Sequence, residues 1–405
     1  MSTAENKQDL RKTSGLSVLI TGSIMMLFLG ILYVWSVFVE PVHKFYDWDI
    51  SSVMLTTSFM LCFFVVGILA GGKLHIKLDC EKVVLGGGLL LALGMLASAF
   101  LPAGAPWLIY ITYGIIGGFG VGSAYNAIIC AAQKWFPLRR GFATGVVVCA
   151  FGFSTVIFAP LIRALVNQFE LKNTFLILAG AFALATLMLH RFIRLPSENV
   201  QAAVPPAALL ARKQYTVTET IRTKEFYFIT VSLMVATATF FILNPRLIEL
   251  AASHGAEAFG TIIVMMTGVA NACGRLIVPV LSDKIGREKA ALSVILLTSI
   301  CALLLCFGTG AMFIAAVLLV AFCFGGLPGL YAVLASDYFG IKNAGANYGA
   351  VMMGFALSAL TFPMIIGLIH NEMFKFITLS AMAAFGVILM LILLASKKKF
   401  EEKSA

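Results

Sequence analysis

Charge is scarce in this chain. Only 12% of its 405 residues are Asp, Glu, Lys or Arg, whereas 60% are apolar and the mean hydropathy is +0.97. A soluble globular protein carries roughly 25% charged residues, so this composition cannot cover a water-facing surface. Histidine is equally sparse: the five residues His43, His75, His190, His254 and His370 are scattered, and no nucleophile–base pair or metal cluster appears. That excludes a membrane enzyme and leaves no cofactor to expect. No G-x-x-x-x-G-K-[ST] loop is present, which excludes ATP-driven chemistry by this chain alone. Of the eight cysteines, Cys80 falls in a loop and the others fall in apolar runs without C-x-x-C spacing, so no disulfide framework or metal site follows. Acids are missing from the middle of every apolar run. Glu40, Glu249 and Asp337 lie near run ends.

What the chain has is long apolar runs. About 20 such residues cross a bilayer, and the sequence predicts twelve spans at 15–39, 51–71, 83–102, 107–132, 141–166, 173–193, 225–249, 258–281, 290–308, 311–336, 346–370 and 372–396. The net charge of +10 does not point to nucleic acid, because of where it lies. Most of the 29 Lys and Arg fall in the amino-terminus, the loops after spans two, four, six, eight and ten, and the tail. By the positive-inside rule that side is the cytoplasm, and an even number of spans puts both termini there. The Lys397-Lys398-Lys399 run reads as a topology anchor at the lipid surface. The polar start, Met1 to Ser14, leads into a full-length span without a small-residue cleavage signal, so a retained first helix in the bacterial inner membrane is expected.

The longest polar interval, with Pro196, Pro205 and Pro206, divides the spans six and six. The expected organisation is a bundle at 1–194, a linker at 195–224 and a second bundle with its tail at 225–405. The halves echo each other. After span four, Trp135-Phe136-Pro137-Leu138-Arg139-Arg140 leads to Gly141 and Gly145; after span ten, Tyr338-Phe339-Gly340 leads to Gly345 and Gly349. Each copy opens the next helix with G-x-x-x-G.

The loop after span eight reads Asp283-Lys284-Ile285-Gly286-Arg287. It resembles the loop signature of the major facilitator superfamily, G-x-x-x-D-(+)-x-G-(+). The second-loop copy places Lys77 where the acid is expected. The resemblance implies an all-α integral membrane fold, twelve transmembrane helices in two six-helix bundles with a central cavity. It also implies that Asp283, Arg287 and Lys284 act in gating.

Such a cavity lies near the bilayer midplane between the halves, so polar and aromatic residues far from span ends are the candidates: Tyr33, Tyr125, Asn126, Asn271, Arg275 and Tyr331. Arg275 stands out, because a cation deep in a span costs several kcal/mol unless it meets water, a partner or an anion. Asn271 shares its helical face four residues before. Arginine's rigid fork of donors suits a carboxylate. Arg246, three residues before Glu249, reads as one half of an ion pair at the mouth of span seven.

Within the superfamily the chain resembles the oxalate/formate antiporter group, related to the monocarboxylate transporters. The carrying segments are Tyr33-Val34-Trp35-Ser36, Lys134-Trp135-Phe136-Pro137, Asn271-Ala272-Cys273-Gly274-Arg275, Ser336-Asp337-Tyr338-Phe339-Gly340 and Asn347-Tyr348-Gly349. In the oxalate members the helix-eight arginine works with a helix-eleven lysine; the matching position here is Phe355. Positions occupied there by Trp and Tyr are Phe324, Phe151 and Pro328 here. One cation neutralises one carboxylate, and a second would stay uncompensated in low dielectric. The expected substrate is therefore a small monocarboxylate such as lactate or pyruvate, with Phe151, Phe324 and Phe355 around its methyl group. Acetate, formate and larger acids stay open, as do proton symport or anion exchange, an oxalate/formate-type organic anion antiporter and a transporter-like sensor of organic acids. A single chain is expected to suffice.

Overall fold

The computed structural model describes residues 14–102, 104–196 and 213–404. The polar start at 1–13 and most of the expected linker, 197–212 with Pro205 and Pro206, lie outside the described residues, as do the side chains of Lys398 and Lys399. The described residues form helices and no strand. Long apolar segments can satisfy every backbone group internally only as helices or closed barrels.

Ten helices are long and apolar enough to cross a membrane. They are Gly15–Tyr46 (α1), Ile50–Lys77 (α2), Cys80–Ser98 (α3), Pro106–Trp135 (α4), a continuous run Arg140–Leu189, Lys224–Ser253 (α7), Gly260–Ile285 (α8), Gly310–Phe339 (α10), Ala344–Gly367 (α11) and Glu372–Ser404 (α12). The run from Arg140 is two crossings, α5 (140–169) and α6 (171–189), because Glu170 departs from helical geometry at φ 62° and ψ 171°. One further helix, Arg287–Leu304 (α9), completes twelve. Its first three residues are Arg287, Glu288 and Lys289, which belong at a membrane surface and shorten its apolar stretch.

Small residues set how closely these helices approach, as van der Waals packing drives association where lipid removes the hydrophobic incentive. A Cβ on Gly274 of α8 would lie 1.9 Å from the Phe322 carbonyl oxygen of α10, and one on Gly325 of α10 would lie 2.1 Å from the Asn271 carbonyl oxygen. Backbone thus rests on backbone beside the two polar residues of α8.

The two G-x-x-x-G repeats have a common task. Gly141 and Gly145 of α5 face the Pro279 and Leu276 carbonyls of α8, at 2.0 and 2.9 Å from ideal Cβ positions. Gly345 and Gly349 of α11 face Gly72 and Leu69 of α2, at 3.1 and 2.4 Å. The repeated motif is where each half lies against the other, at the end of the molecule that carries the basic loops. Polar bonds reinforce the same end. Asn126 of α4 donates to the Ile68 and Gly345 carbonyls, and Gln133, seven residues on, donates to Thr144 and accepts from Ser336 of α10. Where the chain re-enters the described region, the Tyr215 N–H is bonded to the Phe339 carbonyl, and Asn343 and Asn347 donate to the Tyr215 carbonyl.

Gly274→Ala must push α8 and α10 apart, and overpacking of this kind costs roughly 1–3 kcal/mol. The purified variant is expected to melt several degrees lower in detergent, whereas Gly86→Ala, which meets nothing within 4 Å, leaves the melting temperature unchanged. Equal melting of both would contradict the packing described.

Candidate functional site

Arg275 belongs to the second six helices by sequence and docks into the first six by contact. It is 2% exposed. Its guanidinium carbon lies 5.1 Å from the Tyr33 ring centroid on α1 and 5.7 Å from that of Phe151 on α5, and its Nε donates to Asn271 Oδ1 at 2.8 Å. Gly152 makes this reach possible, because a Cβ there would lie 2.8 Å from Arg275 Cδ. Among the described residues no Asp or Glu forms an ion pair with it. Ring faces and one amide oxygen stabilise a buried guanidinium, each cation–π contact by about 0.5–2 kcal/mol. They leave its net charge unneutralised in a low-dielectric setting, which favours binding of an anion.

The ring set around the cation follows from a local break in α1. Gly30 to Val34 forms a tighter 3₁₀ turn, and Gly30 lets it touch α5, since a Cβ would lie 2.1 Å from the Phe151 carbonyl oxygen. Tyr33 then meets Phe151 edge-on at 5.6 Å, and Tyr125 and Phe64 meet Phe151 at 5.0 and 6.0 Å.

The structure brings Arg275, Asn271, Tyr33, Tyr125 and Phe151 into one cluster. Phe324 and Phe355 form a second apolar group with Phe240 and Phe241: Phe240 stacks on Phe324 at 4.1 Å, and Phe241 meets Phe355 at 5.2 Å. Two other predicted residues have partners elsewhere. Asn126 is wholly buried with both amide hydrogens on carbonyls of α2 and α11, which makes it a tie between halves. Tyr331 is wholly buried with its hydroxyl 2.8 Å from Ser232 Oγ of α7. Arg246 pairs with Glu249 and also with Glu372 of α12.

Sequence reasoning passed over Gly152, Phe64, Phe240, Phe241 and Tyr348. Gly152 sits between two phenylalanines in an apolar helix, a pattern without periodicity to mark it. Tyr348 belonged to a quoted repeat and carried a signal that went unused.

At the basic-loop end, Asp283 accepts from the Gly141 and Phe142 N–H groups at 3.0 and 2.8 Å, capping α5 with a carboxylate from α8. An anion there also meets the positive end of the helix dipole. Arg287 holds Asp283, donates to Ser282 and reaches Asp337 of α10, and Arg140 of α5 pairs with the same Asp337. Lys284 is exposed and contributes no ion pair among those described. In the first half the corresponding ties are Glu81 to Arg194 and Lys82 to Asp79, with Lys77 exposed.

Asp337 is thus the common partner of two arginines from different halves. Asp337→Asn removes its charge and is expected to loosen this end. Cys149, whose Sγ bonds the Ala272 carbonyl at the α5–α8 contact, then becomes reactive. With Cys149 as sole cysteine, maleimide labelling is expected to accelerate several-fold; an unchanged rate would contradict the closure described.

The comparisons with known proteins bear on the family and the fold. The chain is 26% identical over 339 residues to the oxalate:formate antiporter of Oxalobacter formigenes, covering 80% of this chain and 78% of that one. It is 28% identical over 145 residues to monocarboxylate transporter 12 of Rattus norvegicus, covering 36% and 29%. Its fold superimposes on the crystal structure of FucP in the outward conformation with a TM-score of 0.71 at 13% identity, covering 92% and 98%. Residues 16–363 and 229–404 match the Major Facilitator Superfamily, and the chain is a multi-pass membrane transporter that belongs to that family.

Proposed function

We propose that this transporter moves a small monocarboxylate, of the lactate or pyruvate type, by alternating access. The carrying observation is the buried, acid-free Arg275 guanidinium that one half supplies and the other half encloses. The carboxylate binds Arg275 through charge-assisted hydrogen bonds, and Asn271 holds the guanidinium fork in place. Because the cation contacts both halves, a ligand there influences how they rock about the site.

Charge counting favours a monoanion. Position 355 holds a buried phenylalanine packed against Phe241 and Phe324, so a dicarboxylate would bring one charge more than Arg275 neutralises. The basic-loop end is read as cytoplasmic, with bundles at 1–194 and 225–405 joined by 195–224, in a bacterial inner membrane. On that reading the closure lies at the cytoplasmic end. With no Asp or Glu paired to Arg275 among the described residues, the empty carrier keeps an unpaired charge while it reorients, so exchange outruns net flux. A proton travelling with the monoanion would make transport electroneutral, which matters because one charge across 100 mV is worth about 2.3 kcal/mol.

The test is uptake of labelled L-lactate by proteoliposomes at equal pH and with acid outside. Lactate and pyruvate are expected to compete and oxalate to fail; Arg275→Lys is expected to lose roughly 10–100-fold, the worth of a charged hydrogen bond of about 1.5–3 kcal/mol. Phe355→Lys is expected to admit oxalate as a competitor. Oxalate competing best in the unaltered protein would overturn the one-cation argument.

Efflux of preloaded label into buffer containing unlabelled substrate is expected to exceed efflux into plain buffer several-fold. Equal rates would remove the claim about the empty carrier.

A further inference from the structure

Tyr348 of α11 is 1% exposed, and its hydroxyl oxygen is enclosed without completing a hydrogen bond of ordinary geometry. The Tyr125 hydroxyl lies beside it: Asn126, the next residue, bonds the Gly345 carbonyl of α11, and Tyr125 meets the Phe151 ring that Arg275 also faces. A buried hydroxyl whose hydrogen bond is poorly formed is costly to keep, so an oxygen acceptor brought beside it is bound favourably.

Three other polar groups near the cluster are already bonded. Asn126 is held by two carbonyls, Tyr331 by Ser232, and the Asn271 oxygen by Arg275. Tyr348 also has a rigid mounting. Its neighbour Asn347 is tied to Tyr215 and Thr220, and its neighbour Gly349 lies against Leu69. A hydroxyl on so fixed a frame reads position well.

We propose that Tyr348 is a specificity-determining residue that donates its hydroxyl to the 2-oxygen of a 2-hydroxy or 2-keto monocarboxylate held by Arg275. This rests on the monocarboxylate reading above and narrows it to 2-oxy acids. The carboxylate anchors on α8 while the adjacent oxygen is read from α11, so one small ligand joins two helices that meet different partners in the first half. An acid lacking that oxygen leaves the hydroxyl unpaired, and such sites discriminate far more strongly than an apolar wall discriminates a methylene.

The experiment compares L-lactate and propionate, equal in carbon number and differing in the 2-hydroxyl, for uptake into proteoliposomes by the unaltered chain, Tyr348→Phe and Tyr331→Phe. The unaltered chain is expected to prefer lactate at least tenfold. Tyr348→Phe is expected to reduce that preference at least fivefold by slowing lactate, with propionate uptake and melting temperature held or raised, since the ring is kept and an unpaired group removed. Tyr331→Phe keeps the lactate preference. If Tyr348→Phe leaves the ratio of lactate to propionate as it was, or lowers both alike, Tyr348 does not read the substrate. If the unaltered chain carries neither acid, or if Arg275→Lys carries both as well as the unaltered chain does, the monocarboxylate reading itself falls, and this proposal with it.

Discussion

A guanidinium buried without a carboxylate is the constraint around which the centre of this protein is arranged. Arg275 needs a donor-poor, ring-lined niche to stay charged inside an apolar chain, and that niche is built by the opposite half. Gly152 leaves room for its stem, the turn at Gly30 brings Tyr33 across, and Phe151 supplies a second ring face. Each is a concession of side-chain volume or helix regularity to one cation. Cation–π contact and a single amide bond hold the group in place and leave its charge without a carboxylate partner among the described residues.

The same economy of volume shapes the contact between halves. Lipid offers no hydrophobic gain for helix association, so backbones must touch. Gly141 and Gly145 do this for α5 on α8, and Gly345 and Gly349 for α11 on α2. The charged ties are less symmetrical. Asp283, Arg287, Asp337 and Arg140 form a connected set on one side, whereas the other side relies on the amides of Asn126 and the hydroxyl-linked Gln133. Lys77, at the place of the acid in the echoed loop, faces outward. The missing first-half acid therefore coincides with uncharged bonding made from α4.

Much of this was legible in the chain. Twelve apolar runs of bilayer length leave helices as the only economical backbone solution, and the basic loops alternate by side, so span number and order followed. Spans five and six, separate in the sequence reading, run on in the structure until the break at Glu170, and α9 begins with three charges. Arg275 was conspicuous because depth makes charge costly, and its pairing with Asn271 followed from helical spacing. Asn126 and Tyr331 looked equally promising by depth alone, yet depth does not say which way a side chain points. Asn126 turned to carbonyls of α2 and α11, and Tyr331 to Ser232.

The sequence by itself determined the class of solvent, the number of crossings, the twofold internal echo and the presence of one deep cation, because each is a property of composition and local spacing. Tertiary structure alone decided what that cation faces. Tyr33, Phe151, Gly152 and Tyr348 stand on three helices far apart in the chain, and only packing at glycine contacts brings their faces together. Whether a buried hydroxyl is well bonded depends on atoms far away in the chain, 99 residues for Tyr331 and Ser232, and no local pattern encodes that.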